Sequence, residues 1–341
     1  MTKLVVKILI CAMGLGLIYS CQKTDVSIET LSIPQPQGFP EVVYPLHTNP
    51  LSQEGVDLGK QLFNDPILSI DGSVACSNCH TKSLSFTDAQ HHPSIGIFER
   101  VGTRDAPPIM NLAFRREFFW DGSVSQLDFV PLAAIENELE MGESLGHVVS
   151  KLNDSESYPN KFRKVYPTMD TITGPLMLKA LSQYLLTLVS ADSRYDQYQR
   201  GEIQLTDEEQ RGLAVFETNC ATCHVPPLFT NEEFLNNGLD TVFSDLGREG
   251  ITESSTDRGK FIVPSLRNIR LTPPYMHDGR FKTLAEVLDF YDAGVLPSFN
   301  LAKELNQNGR LGIALSSDEK ADLLAFLSTL TDYNFINNPK F

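Results

Sequence analysis

Two short strings, Cys76-Ser77-Asn78-Cys79-His80 and Cys220-Ala221-Thr222-Cys223-His224, constrain this chain more than any other feature. Each offers two thiols for thioether bonds to the vinyl groups of a haem and, directly after them, a histidine to ligate its iron. One such string alone also fits a zinc knuckle. Two in one exported chain read as two covalent haems c and narrow the chemistry to iron redox work.

The chain has six cysteines, and the two outside these motifs, Cys11 and Cys21, lie near the N-terminus. There Lys3 and Lys7 precede an apolar run from Ile8 to Ile18, too short to span a bilayer and built like the core of a signal peptide. The run ends Leu17-Ile18-Tyr19-Ser20-Cys21, which resembles a bacterial lipoprotein box. Residues 1–20 are therefore expected to be removed, with lipid on the Cys21 sulfur holding the mature chain at a membrane surface in the periplasm. The alternative is an ordinary signal peptide with a free Cys21. Either reading leaves no cysteine for a disulfide, and export agrees with haem c attachment, which takes place outside the bacterial cytoplasm.

A chain of 341 residues, 41% hydrophobic and 21% charged, suggests two soluble domains. Its formal charge of −15 argues against nucleic acid as a partner. An acidic surface could steer a basic electron donor or simply keep the protein soluble.

Residues 21–50 carry Pro34, Pro36, Pro40, Pro45 and Pro50, a composition suited to a tether or a wrapping arm. Beyond it the chain repeats itself. Gly59-Lys60-Gln61-Leu62-Phe63 precedes the first motif as Gly212-Leu213-Ala214-Val215-Phe216 precedes the second, each on a helix-like stretch. The closing stretches, residues 180–189 and 321–330, also echo each other with apolar residues at helical spacing. Capping boxes at Thr206 with Glu209 and Ser316 with Glu319 mark two helix starts. Opening helix, CxxCH loop and closing helix is how small cytochromes c are built. The sequence thus predicts a mainly α chain of two fused cytochrome c-like domains, residues 51–200 and 201–341. The motifs are farther apart than a minimal haem domain needs, so the first domain is expected to hold long inserted loops.

The strings GTRDAPPIMN, FFWDGS and ENELEMG within residues 102–142, and VPSLRNIRLTPPYMHDGRFKTLAEVLDFYDAG at 263–294, carry a further signal. In this order they resemble the bacterial dihaem cytochrome c peroxidase family. They also resemble that family's relative, the dihaem enzyme of methylamine utilisation that matures a tryptophan-derived quinone. The likeness runs from about residue 50 to 335.

The resemblance implies a peroxidatic haem on His80 and an electron-transfer haem on His224. It puts the indole of Trp120 between them, where unaided sequence reasoning favours core packing. Glu140 matches the family's distal acid; cleaving a bound peroxide requires a proton to move between its oxygens, so one carboxylate can act as base and then acid. Glu136, Glu138 and Glu143 crowd the same loop and would read as a solvated acidic run without the motif. Asp105, Thr272 and Pro274 match positions that hold a calcium ion, the first by side chain and the others by backbone carbonyls. His277 resembles a residue near the haem propionates.

The chain also departs from the peroxidases. Where many members have a displaceable histidine, Ser94-Ile95-Gly96 is followed by Ile97, so the first haem is expected to be five-coordinate without reductive activation. His91 and His92 lie nearby as substitutes or as a surface turn. Fourteen residues after His277, where peroxidases place a methionine ligand, stands Tyr291, the arrangement of the methylamine-utilisation branch. Met276 is the rival ligand, though its neighbour His277 is expected to hold it elsewhere in the loop. Val130 replaces a frequent glutamine and should make the first pocket drier.

The leading expectation is an enzyme that reduces hydrogen peroxide with electrons from a small cytochrome c. Its weakness is that Tyr291 suits ferric and higher iron states and makes a poor acceptor from a high-potential donor. The alternatives are an oxidase of the methylamine-utilisation type acting on a protein or organic substrate, and a non-catalytic dihaem electron carrier. The family often dimerises, so a homodimer belongs to the same expectation, although no segment shows its interface.

Overall fold

The structure, a computed structural model, describes residues 30–88, 91–307 and 309–341. Residues 1–20 and Cys21 lie outside this range. Among the described residues 43% are helical, with little strand. In the first half run α1 (Gln53–Phe63), α2 (Cys76–Cys79), α3 (Val130–Glu136), α4 (Leu145–Asp154), α5 (Tyr158–Val165) and α6 (Gly174–Thr187). The second half has α7 (Arg194–Gln199), α8 (Asp207–Asn219), α9 (Glu249–Thr252), α10 (Leu284–Asp289), α11 (Ser317–Ser328) and α12 (Tyr333–Asn337). Two antiparallel two-residue pairs, β1 (Phe234–Leu235) with β2 (Phe261–Ile262) and β3 (Asn306–Gln307) with β4 (Arg310–Leu311), are the named strands among the described residues.

The internal repeat is visible as two matched helix crossings, α1 on α6 and α8 on α11. At each crossing a glycine is required by close approach. A Cβ on Gly59 would lie 2.1 Å from the Ala180 carbonyl oxygen, and one on Gly212 would lie 1.9 Å from that of Asp322. Four residues on, Phe63 and Phe216 are buried one turn further along the same faces. Both expected capping boxes form: Thr206 Oγ1 accepts from the Glu209 N–H at 3.2 Å, and Ser316 Oγ from the Glu319 N–H at 3.3 Å.

Each crossing anchors its own hydrophobic core. The first gathers residues from Ile33 to Leu188 and the second residues from Tyr195 to Leu330. Two segments cross between them. Leu228, in the loop after the second CxxCH, and Phe335, on α12, both belong to the first core. The insertion between α2 and α6 contains three helices, α3 to α5, besides irregular loop and 3₁₀ turns. Over residues 30–50 the proline-rich stretch is a wrapping arm rather than a tether, because Ile33, Phe39 and Tyr44 are buried against the first core. Among the described residues no helix is long and apolar enough to cross a membrane.

Candidate functional site

Each CxxCH motif opens onto its own cavity. The first, about 350 Å³, is lined by Cys76, Cys79 and His80; the second, about 230 Å³, by Cys220, Cys223 and His224. All four thiols are unpaired. His80 Nδ1 lies 2.8 Å from the Phe86 carbonyl, and His224 Nδ1 lies 3.2 and 3.1 Å from those of Phe229 and Pro264. A protonated Nδ1 donating to these carbonyls leaves Nε2 with the lone pair that a metal ligand needs. Burial holds both imidazoles neutral, pushing His80 below its ordinary range and His224 down to about 4. Paired thiols, an oriented neutral imidazole and a largely apolar cavity fit a covalent haem at each place.

The two cavities share a wall. Asp105, Ala106, Pro107, Pro108 and Trp120 line both. The Trp120 indole N–H donates to the Asp105 carbonyl at 2.8 Å, and its own carbonyl accepts from the Ile262 N–H at 2.8 Å. Thus the sole tryptophan stands between the cavities and is fixed from both halves of the chain. Charge pairs bracket its loop: Arg104 bridges Asp121 (2.6 Å) and Asp245 (2.7 Å), Arg115 meets Glu232 (3.3 Å), and Arg248 meets Glu117 (3.0 Å). Arg248 also lies over the Phe234 ring at 4.1 Å, and a Cβ on Gly122 would strike both side chains. The FWDG motif therefore encodes a junction: Trp120 as the bridge, Asp121 for Arg104, and Gly122 as room for Arg248.

Glu140 lines the first cavity, on the loop between α3 and α4. Asn137 Nδ2 donates to its Oε1 at 2.6 Å, and Ile97 N–H donates to its backbone carbonyl at 2.8 Å. Burial raises the Glu140 carboxyl above its ordinary range, with the Asn137 donor opposing. Glu136 and Glu138 are exposed, but Glu143 is 3% exposed and pairs with Lys151 and His147, each at 2.9 Å. It is an anchor of the loop, not part of a solvated run. Ile97 is buried beside Gly142. His91 and His92 reach Asp88 and Asp105, each at 3.5 Å, and neither is among the residues lining the first cavity. Val130 does line it.

In the second cavity both rival ligands are present. Tyr291 sits on a π turn, Phe290–Gly294, that continues α10, and its carbonyl accepts from the Ile313 N–H at 2.7 Å. Burial pushes its phenol up to about 12, with the Asn237 side chain pulling against that rise. Met276, at φ +75°, lines the same cavity, so His277 does not hold it away from Tyr291's surroundings. His277 itself stacks on Phe261 at 3.8 Å.

Asp105, Thr272 and Pro274 all line the second cavity, and Asp105 and Pro274 both border Gly279. Both Asp105 carboxylate oxygens are buried without a hydrogen-bond partner, and burial pushes this acid up to about 6 against the pull of His92. Gly279 borders it: a Cβ there would lie 2.6 Å from Oδ2. A buried carboxylate whose nearest charged neighbour is His92 at 3.5 Å, on the wall of a cavity, fits a hard cation. Among the described residues no cluster of three or more His, Cys, Asp or Glu could hold a metal, so such a site would rest on one carboxylate and carbonyl oxygens.

Sequence reasoning missed Phe86 and Phe229, whose carbonyls orient the two histidines. A signal was present: Phe-Thr follows each motif, at 86–87 and 229–230. Both phenylalanines have positive φ, and both threonine hydroxyls donate to distant carbonyls, of Ala106 and Val263.

A family model described as di-haem cytochrome c peroxidase matches residues 53–204. The chain is 36% identical to "Methylamine utilization protein MauG" of Methylorubrum extorquens, over 85% of this chain and 82% of that one. It is 31% identical to the cytochrome c551 peroxidase of Nitrosomonas europaea, over 83% and 81%. Among solved structures, a MauG-like protein associated with microbial copper homeostasis superposes with a TM-score of 0.83 at 33% identity, over 92% of this chain and 99% of that one.

Proposed function

The chain belongs to the di-haem cytochrome c peroxidase family, and on that premise we propose that it is a periplasmic, peroxide-consuming dihaem oxidase of the methylamine-utilisation type. It draws electrons from a protein or organic substrate. The observation that carries this reading is the Tyr291 phenol in the second cavity, where an anionic oxygen ligand favours ferric and higher states of iron. The relatives named MauG and MauG-like support it.

Two haems c, held by Cys76, Cys79 and His80 and by Cys220, Cys223 and His224, would supply an iron centre open to peroxide and a second redox centre. Glu140 is the acid–base group. Asn137 occupies its Oε1, leaving Oε2 to take a proton from hydrogen peroxide and return it to the departing oxygen. Trp120, clamped at its indole N–H and its carbonyl, carries electrons between the cavities. Asp105, with the carbonyls of Thr272 and Pro274, would hold a calcium ion, which would stiffen the Asp105–Trp120 contact. Lipid on Cys21 holds the enzyme at the membrane. A copper-handling protein is the first substrate to try, following the association of the MauG-like structure.

A second reading, a peroxidase drawing electrons from a small cytochrome c, is favoured by Met276 in the same cavity, since a thioether ligand raises the potential. Mixing the oxidised protein with stoichiometric peroxide separates the two. The expected result is loss of the ferric signals without pre-reduction, slow consumption of reduced cytochrome c, and a mass change in a co-expressed protein. Sustained oxidation of reduced cytochrome c at about 1–1000 s⁻¹ would instead establish the peroxidase.

A further inference from the structure

Asn237 stands between the two rival ligands of the second cavity. Its Nδ2 lies 3.5 Å from Met276 Sδ, and the same side chain lies close enough to the Tyr291 phenol to pull against the rise that burial imposes on it; all three residues line the one cavity. One amide nitrogen carries two N–H donors, enough for both.

The backbone that carries Asn237 is fixed from both sides. Asn236 is 1% exposed and donates to Ser298 Oγ at 3.0 Å and Asn300 Oδ1 at 2.7 Å. Its Oδ1 accepts from the Gly238 N–H at 2.8 Å, and its carbonyl from the Ala302 N–H at 2.9 Å. The Gly238 carbonyl in turn accepts from Leu296 at 2.8 Å. Tyr291 is held by its π turn and by Ile313. The backbone that carries the donor and the backbone that carries the phenol are thus both held in built loops.

We propose that Asn237 selects the ligand of the second haem, donating to the Tyr291 oxygen while engaging the Met276 sulfur and so keeping the thioether off the metal. This rests on the reading that Tyr291 is the ligand. A hydrogen bond to an anionic oxygen is strong, whereas sulfur is a weak acceptor, so one side chain favours the phenolate and restrains its competitor. Removing the amide takes away both effects together. The ratio of methionine to tyrosinate ligation should then rise about 10- to 100-fold, the equivalent of one charged hydrogen bond.

The test uses the full-length, haem-loaded ferric protein at neutral pH, with resonance Raman for the iron–phenolate modes and optical spectroscopy for the sulfur-to-iron charge-transfer band. Asn237→Leu should lose phenolate intensity and gain the sulfur band, and adding Met276→Leu should abolish that band and restore the phenolate modes. If the leucine variant does not load haem, Asn237→Ser, too short to reach either ligand, is expected to behave the same way. A wild-type spectrum in the Asn237 variants overturns the selection role. Tyr291→Phe separates the two levels: if it leaves the wild-type spectrum unchanged, the ligand reading has failed, whereas if it alone changes the spectrum, only the role of Asn237 has.

Discussion

Replacing Glu140 with glutamine isolates its proton chemistry from its packing. Glutamine has the same length and can still accept the Asn137 N–H through Oε1, where the wild-type distance is 2.6 Å. The loop, held by Ile97 N–H on the residue 140 carbonyl and by Glu143 on Lys151, should stay in place. What disappears is the ability to accept and return a proton, which contributes about 10²- to 10⁴-fold, or roughly 3–5 kcal/mol of barrier. The wild-type enzyme adds a pH signature. Burial raises the Glu140 carboxyl above its ordinary range, and only the deprotonated form can act as base, so the peroxide rate should climb with pH through that elevated value and then level off. Asn137→Ala removes the donor that opposes the rise. The inflection should therefore move to still higher pH in that variant. Stopped-flow absorbance of the ferric protein against peroxide, from pH 4 to 9, measures all three. A Glu140→Gln rate within about 3-fold of wild type, or an inflection surviving in that variant, would refute the assignment.

Trp120→Phe keeps an aromatic ring but loses the N–H to Asp105 and the easily oxidised indole; peroxide should still react at the first site, while EPR shows the second ferric signal persisting. Arg267 is 1% exposed, binds Asp196 through two contacts of 2.7 and 2.9 Å, and donates to the Pro227 carbonyl in the loop after the second motif. Asp196→Ala leaves that guanidinium buried and unpaired and should cost about 3–5 kcal/mol, lowering Tm by roughly 4–7 °C in calorimetry. Burial pushes the Asp196 carboxyl up, but Arg267 and Ser193 outweigh it and hold it below the ordinary range. Its stabilisation is therefore present above the unfolded value near about 4 and is lost as pH falls through the folded one, so the Tm gap between wild type and variant should close in acid. Calcium in 100-fold excess over its Kd should stabilise the protein by about 2.7 kcal/mol, and Asp105→Asn should abolish that dependence; equal Tm with and without chelator would remove the calcium site.

Much of the architecture was legible locally. The strings beginning at Gly59 and Gly212, each with a phenylalanine four residues on, mark the two opening helices, whereas the closing helix that crosses at each glycine is visible only in the structure. The capping boxes at Thr206 and Ser316 marked two helix starts. The Phe-Thr pairs after each motif were equally legible and were passed over, because a phenylalanine reads as core and nothing in one residue type announces that its carbonyl holds a histidine. Glu143 shows a related limit: nothing in the sequence separates it from Glu136 and Glu138, and only the return of α4 brings Lys151 against it.

What the sequence alone determined is whatever is encoded within a few residues of itself. The two CxxCH strings carry the chemistry and the repeated glycine-to-phenylalanine helices carry the duplication, while Tyr291, fourteen residues after His277, is the position on which the proposed departure from the peroxidases rests. Tertiary structure alone decided what depends on segments far apart in the chain. Asp105 meets Gly279 from the other half of the chain, and Trp120 is clamped by Ile262. Met276, Tyr291 and Asn237 become neighbours only because the 236–238 turn is bonded to the 296–302 loop while a π turn carries the phenol. Covalent spacing fixes which groups a motif can offer, whereas packing and hydrogen bonds between distant segments fix which of those groups face one another.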